Sequence, residues 1–150
     1  MKKYLILFAA ILSLTSCEYH KLMELELDGT KKTFTEDQVQ GYYQTILSQQ
    51  TSNVLASDNA ASSPLSVRIT VNTNVKGTYV CQNGSSPQAE IFITYDGTQF
   101  STKNTGSTGT IDMLTSGSNL IEGTFYGTLK NVDGTYTIAV ANGKFSGRAY

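Results

Sequence analysis

The chain has 150 residues, a net charge of −1, and charged side chains at only 15% of its positions. That length suits one ordinary domain and is sufficient to bury a hydrophobic core. No run of basic residues is interleaved with aromatic residues, which argues against nucleic acid as a partner. The low charge and the abundance of Ser, Thr, Asn, Gln and Gly are more typical of an exported β-rich protein than of a cytosolic enzyme.

The first predicted element is a short apolar segment. Two lysines precede an eleven-residue apolar stretch, residues 4–14. It is shorter than the ~20 residues that a membrane-spanning helix needs, and it fits the hydrophobic part of a signal peptide. The segment ends in LTSC, residues 14–17, which resembles the lipobox of bacterial lipoproteins. We therefore predict that residues 1–16 are a signal peptide and that Cys17 is the lipid attachment site.

The lipid on this cysteine is predicted to hold the domain on a membrane. In lipoproteins of this kind the cysteine thiol receives a diacylglycerol, and the new N-terminus is then acylated, commonly with palmitate. Each buried methylene contributes about 0.8 kcal/mol, so two or more acyl chains anchor a domain stably. We expect residues 17–21 to be a lipidated tether. Residue 18 is Glu rather than Asp, which favours the outer membrane, with the domain facing either the periplasm or the cell surface.

Residues 22–150 form the predicted β-rich domain. Apolar residues alternate with glutamates over residues 23–27, which predicts a half-buried strand, and residues 31–35 run back as a second one. Residues 36–50 leave two alternatives. Apolar spacing and a capping-box pattern favour a short helix, whereas Gly41 and the many β-branched and aromatic residues favour strand.

Beyond residue 64 the apolar residues recur with a period of two almost throughout. The predicted strands cover residues 65–72, 77–82, 89–95, 98–102, 110–114, 121–130, 135–141 and 144–150. Five Asp-Gly or Asn-Gly pairs, the last of them Asn142-Gly143, punctuate the chain, and each suits a hairpin turn. We therefore predict an all-β fold, either an antiparallel β-sandwich or a flattened barrel.

Several of these segments resemble a family of small Bacteroidota lipoproteins of unknown function. The resemblance rests on the lipobox and on the segments LELDGTKKTFT, KGTYV and IEGTFYGTLKNVDGTYTIAVANGKF. It covers most of residues 23–145 and is weakest over residues 36–63. The resemblance implies an all-β fold, favours strand over helix for residues 36–50, and supplies no catalytic residues.

Cysteine and histidine offer little catalytic chemistry. With Cys17 lipidated, Cys81 has no intramolecular partner, so we predict a buried thiol within a strand; the alternative is an intermolecular bond. His20, the only histidine, lies in the tether, which does not preorganise partners for catalysis or zinc. The sequence contains neither a calcium-binding loop nor a phosphate-binding loop. We expect no cofactor and no metal.

Carboxylates and tyrosines are the remaining candidates for a site. Glu90, Asp112 and Glu122 lie within predicted strands, where a pair of acids would suit glycoside hydrolysis. Glu90 alternates with apolar neighbours, which predicts a solvent-facing side chain. Tyr126 points opposite to its apolar neighbour, and Tyr126 and Tyr136 are the candidate ligand-binding residues.

These patterns favour a non-enzymatic envelope lipoprotein that binds a glycan or a protein partner. One alternative is a carboxylate-dependent glycoside hydrolase that acts on envelope or dietary polysaccharide. Another is a periplasmic immunity-type lipoprotein that neutralises a toxin. The lipid at the predicted anchor would attach any of the three to the membrane.

Overall fold

A computed structural model of the chain describes residues 22–46, 48–58, 64–84, 88–117 and 119–149. The predicted signal peptide, Cys17, His20 and the rest of the tether lie outside the described residues. Within the described ranges the chain forms an eleven-stranded sheet. The strands are β1 (Leu22–Leu27), β2 (Thr30–Phe34), β3 (Val39–Ile46), β4 (Gln49–Ser57), β5 (Leu65–Val71), β6 (Gly77–Cys81), β7 (Ala89–Tyr95), β8 (Thr98–Ser101), β9 (Thr108–Gly117), β10 (Leu120–Asn131) and β11 (Thr137–Arg148).

The sheet is antiparallel and nearly closed, and one edge of β10 is shared between two neighbouring strands. The strand order is β2-β1-β11-β10-β8-β7-β5-β4-β3, and β9 pairs with β10 on one side and β6 on the other. Residues 120–128 of β10 pair with β9, whereas Lys130 and Asn131 pair with β8. We call β2, β1, β11, β10, β9 and β6 the front sheet, and β8, β7, β5, β4 and β3 the back sheet. The predicted all-β architecture is confirmed.

Strand alternation fills the space between the two sheets. In β5, for example, Leu65, Val67, Ile69 and Val71 are buried and the residues between them face outward. In β10 the prediction that Phe125 points inward and Tyr126 outward is confirmed, since Phe125 is buried and Tyr126 is exposed. The rings of Phe125 and Phe145 lie 6.1 Å apart between their centroids, within the range of a favourable aromatic pair.

Strand is the correct alternative for most of residues 36–50. Among the described residues of this segment, only Glu36–Gln38 form a helical turn, a three-residue 3-10 helix, and the backbone N–H of Thr35 donates to Gln38 Oε1 (2.8 Å). The chain then continues as β3 and β4. Gly41 allows β3 to approach β11, because a Cβ there would lie only 2.8 Å from the carbonyl carbon of Gly147. A parallel bridge between Gly41 and Ala149 closes this side of the fold.

The turn predicted at Asn142-Gly143 is wrong. Residues 137–148 form one continuous strand, β11, which pairs with β1 on one side and β10 on the other. Both pairings slip by one residue at this point, and Asn142 has a φ of 50°. The Asn-Gly pair therefore forms a β-bulge, which uses the same positive-φ preference as a hairpin turn. Asp28 and Asp96, with φ of 47° and 50°, do occupy the predicted turns.

Candidate functional site

The outer face of the front sheet carries a groove of about 870 Å³. β10 and β11 form its floor, β1 and β2 form one wall, and Thr108 of β9 contributes to the other. This volume lies within the roughly 300–1,000 Å³ typical of small-molecule sites. The polar side chains that line it include Glu24, Glu26, Lys31, Tyr126, Asn142 and Lys144.

Tyr126 presents an aromatic surface in this groove. The alternation of β10 directs it outward, and the residue is 53% exposed. Its register partner on the neighbouring strand is Thr110 of β9, and on the other side it lies between the pairs Phe125–Gly143 and Gly127–Val140. Tyr126 therefore lies opposite the bulge of β11. Among the described residues, none hydrogen-bonds to its hydroxyl.

The bulge gives the groove an extra polar side chain. Ala141 and Asn142 are consecutive residues of β11, yet both are exposed and both line the groove. A regular strand would turn one of them toward the core, since side chains alternate between the two faces. The described part of the chain supplies no hydrogen-bond partner to the Asn142 amide. Its donors and its acceptor are therefore available in the groove.

Two lysines form ion pairs with one glutamate at the wall of the groove. Lys31 Nζ lies 2.9 Å from Glu24 Oε2, and Lys144 Nζ lies 3.6 Å from Glu24 Oε1. The hydrogen bond from Lys31, together with the charges of both lysines, holds the pKa of Glu24 below its usual value of 4.5. The same hydrogen bond raises the pKa of Lys31. Glu24 is therefore ionised at neutral pH, and both lysines are paired.

Of the two candidate tyrosines, only Tyr126 lines the groove. Tyr136 lies in the turn just before β11, is 65% exposed, and donates its backbone N–H to Asn131 Oδ1 (2.9 Å). About four strand residues separate position 126 from the end of the β10–β11 pairing at Lys130, or roughly 14 Å along the strand.

The solvent-facing position predicted for Glu90 is wrong. Its side chain is on the outer face of the back sheet but is only 7% exposed. Ser101 Oγ donates to Glu90 Oε1 (2.9 Å), and Lys103 Nζ (2.9 Å) and Arg68 Nη2 (3.5 Å) contact Oε2. The long side chains of its neighbours cover it, which alternation alone does not indicate. A buried carboxylate in such a set is charge-compensated within the protein.

The three candidate carboxylates are not brought to one place. Asp112 pairs with Thr124 across β9 and β10, and alternation places both Asp112 and Glu122 on the outer face of the front sheet. Glu90 lies on the opposite sheet. Of these three residues, only Asp112 and Glu122 therefore share a face on which they could form an acid pair.

Cys81 is a buried free thiol, as predicted. It is 5% exposed in β6, and burial raises its pKa above the usual value of 9.0. A thiol held in this state is a poor nucleophile and a poor metal ligand. Within the residues that the structure describes, no group of three or more His, Cys, Asp or Glu side chains is placed to hold a metal ion.

Sequence reasoning missed the residues around Tyr126. The alternation of residues 23–27 did place Glu24 and Glu26 on one face, so the sequence predicted that these two glutamates of the groove wall lie side by side. Lys144 and Asn142 were not, because they join the site only through the pairing of β11 with β1 and β10.

Comparison with known proteins adds no neighbour to this description. No protein-family model, no curated protein and no solved structure matches the chain. In the described part of the chain, no helix has the length and apolar character to cross a membrane.

Proposed function

We propose that the protein is a lipid-anchored lipoprotein of the cell envelope that binds a glycan in the groove of the front sheet without converting it. The observation that carries the proposal is the exposed ring of Tyr126 on the floor of an open groove with polar walls. The apolar face of a sugar ring packs on an aromatic ring, and the sugar hydroxyls need the hydrogen-bonding groups that surround it. Specific sites commonly combine such an apolar surface with a few placed polar groups.

The anchor at Cys17 is the second part of the proposal, and the lipobox pattern supports it. Cys17→Ser removes the thiol that accepts the lipid, so the variant is expected to remain uncleaved or to be released as a soluble protein. Growth with a labelled fatty-acid analogue, followed by membrane fractionation, measures this. A variant that still takes up the label and still partitions with membranes would contradict the anchor.

Glycan binding is tested with the full chain in detergent, applied to immobilised polysaccharides. Tyr126→Ala removes the stacking surface and is expected to weaken binding about tenfold or more, the equivalent of 1.4 kcal/mol. Tyr136→Ala is the matched control, since Tyr136 is at least as exposed as Tyr126 but lies outside the groove. Loss of affinity in both variants, or in neither, would argue against the groove as the binding site.

The same experiment separates binding from hydrolysis. A binding protein leaves the bound polysaccharide intact, so no new reducing ends are expected during prolonged incubation. If reducing ends do appear, and if Asp112→Asn or Glu122→Gln stops their release, the carboxylate-dependent hydrolase replaces the present proposal.

A protein partner is the second candidate ligand. Val80 and Leu114 are exposed on the same outer face, at β6 and β9, and a protein partner that covered them would remove their apolar surface from water. Affinity capture with the wild-type chain and with a Val80→Ser, Leu114→Ser double variant distinguishes a protein partner from a glycan ligand. A partner lost by the second variant and retained by Tyr126→Ala would favour a protein interface.

A further inference from the structure

We infer that the groove selects neutral polysaccharides, with the amide of Asn142 binding sugar hydroxyls beside the ring of Tyr126. This inference rests on the proposed glycan binding and specifies the chemical class of the glycan. Two separate observations carry it, the bulge in β11 and the pairing of the charges in the groove.

The bulge is the first observation. Strand β11 is paired on both sides, and both pairings shift by one residue within residues 140–144. A bulge in a strand paired on both sides disrupts two ladders, and such bulges are common next to functional sites, where they redirect a side chain. Here the redirected residue is Asn142, in the positive-φ conformation that asparagine tolerates better than most residues.

The amide of Asn142 suits sugar hydroxyls in particular. It offers two donors and one acceptor within a single planar group, and each hydroxyl of a sugar both donates and accepts. A neighbouring pair of hydroxyls therefore matches the amide in a two-bond arrangement. The register places this amide opposite Tyr126, so one sugar ring could pack on the tyrosine and hydrogen-bond to the asparagine.

The charges of the groove are the second observation. Among the described residues that line it, the charged side chains are two glutamates, Glu24 and Glu26, and two lysines, Lys31 and Lys144, so their formal charges cancel. Both lysines contact Glu24. An acidic sugar would have to compete with Glu24 for the lysines and would also be repelled by Glu26, whereas a neutral sugar disturbs no ion pair. Specificity is a difference between two affinities, and this arrangement lowers the affinity for the acidic class.

The test compares neutral with acidic polysaccharides on the full-length protein. Immobilised mannan, dextran and laminarin are the neutral probes, and polygalacturonate and alginate are the acidic ones. The wild type is expected to bind at least one neutral probe and neither acidic probe. Asn142→Gly keeps a residue that accepts positive φ but removes the amide, so it is expected to retain the thermal unfolding midpoint and to weaken binding about tenfold.

A charge variant tests the second observation independently. Glu24→Gln leaves both lysines without their carboxylate, so it is expected to gain measurable binding to polygalacturonate or alginate. Tyr136→Ala again serves as the control with unchanged selectivity.

The outcomes separate a failure of the selectivity for neutral sugars from a failure of glycan binding itself. Wild-type binding to an acidic probe that is lost in Tyr126→Ala overturns the inference and leaves glycan binding intact. Unchanged affinity in Asn142→Gly, or no gain of acidic binding in Glu24→Gln, also overturns the inference. No binding of either class by the wild type overturns the proposed function itself.

Discussion

Gly109 lies where the front and back sheets meet, and its replacement tests how they pack. A Cβ at Gly109 would lie 2.7 Å from Thr102 Cγ2, 3.1 Å from Ile91 Cδ1 and 3.3 Å from Cys81 Sγ. Carbon atoms pack best at about 3.5–4.0 Å. The Gly109→Ala methyl group therefore has no free space, and Thr102, which is fully buried, would have to move.

The expected loss of stability follows from the close contact between the new methyl group and its neighbours. Overpacking a core typically costs about 1–3 kcal/mol, and the reduced entropy of the unfolded chain offsets roughly 0.4–1 kcal/mol of that cost. The middle of each range, about 2 kcal/mol of cost and about 0.7 kcal/mol of offset, gives an expected loss of about 1.3 kcal/mol in the free energy of unfolding for Gly109→Ala, or a drop of roughly 3–8 °C in the unfolding midpoint. Urea unfolding followed by circular dichroism measures the first quantity, and a thermal scan measures the second.

A second substitution, at Thr102, tests whether the new methyl group really meets this side chain. Thr102→Ser removes the methyl group that Gly109→Ala would strike and keeps the hydroxyl, which accepts a hydrogen bond from the N–H of Ile91 (3.0 Å). Alone it should cost about 0.5–1.5 kcal/mol for the lost methyl group. In the double variant the new methyl group occupies the vacated space, so the total cost should not exceed that of Thr102→Ser alone. Strictly additive costs, or a harmless Gly109→Ala, would show that the two sheets do not meet as described.

Three further predictions follow from buried or paired groups. Lys103→Met should cost about 2–3 kcal/mol and Glu90→Gln about 1 kcal/mol, because Lys103→Met leaves the buried Glu90 carboxylate with Ser101 and with Arg68, 3.5 Å away, as its remaining partners. The reverse order of the two costs in urea unfolding would contradict this. The Cys81 thiol should react with iodoacetamide at pH 8 at least about tenfold more slowly in the native protein than in urea, because burial raises its pKa, and equal rates would contradict the burial. Lys31 lowers the pKa of Glu24, so the stability that this pair adds is present above pH 4.5 and is lost as the pH falls through the lower pKa of the folded state. The difference in unfolding free energy between the wild type and Glu24→Gln should therefore shrink over that pH range. A difference that stays constant would rule out this contribution.

Local patterns in the sequence were sufficient for the strands and their faces. Alternation identifies β5 and β10 and directs Tyr126 outward, because successive side chains of any strand point to opposite faces. Asp-Gly pairs identify the turns at Asp28 and Asp96, because few other residues accept positive φ. These signals depend only on neighbouring residues, so a single sequence reveals them. They also leave residues 36–50 undecided, because the same spacing there fits a helix.

What the tertiary structure decided is which segments lie side by side. Asn142-Gly143 has the sequence signal of a turn, but β1 and β10 pair with both edges of the strand and make it a bulge. Glu90 alternates like a surface residue, yet Lys103 and Arg68 cover it. The groove itself joins β1 to β10 and β11, which lie about a hundred positions later in the chain. Register between distant strands depends on packing across the whole sheet, and no local pattern in the sequence records it.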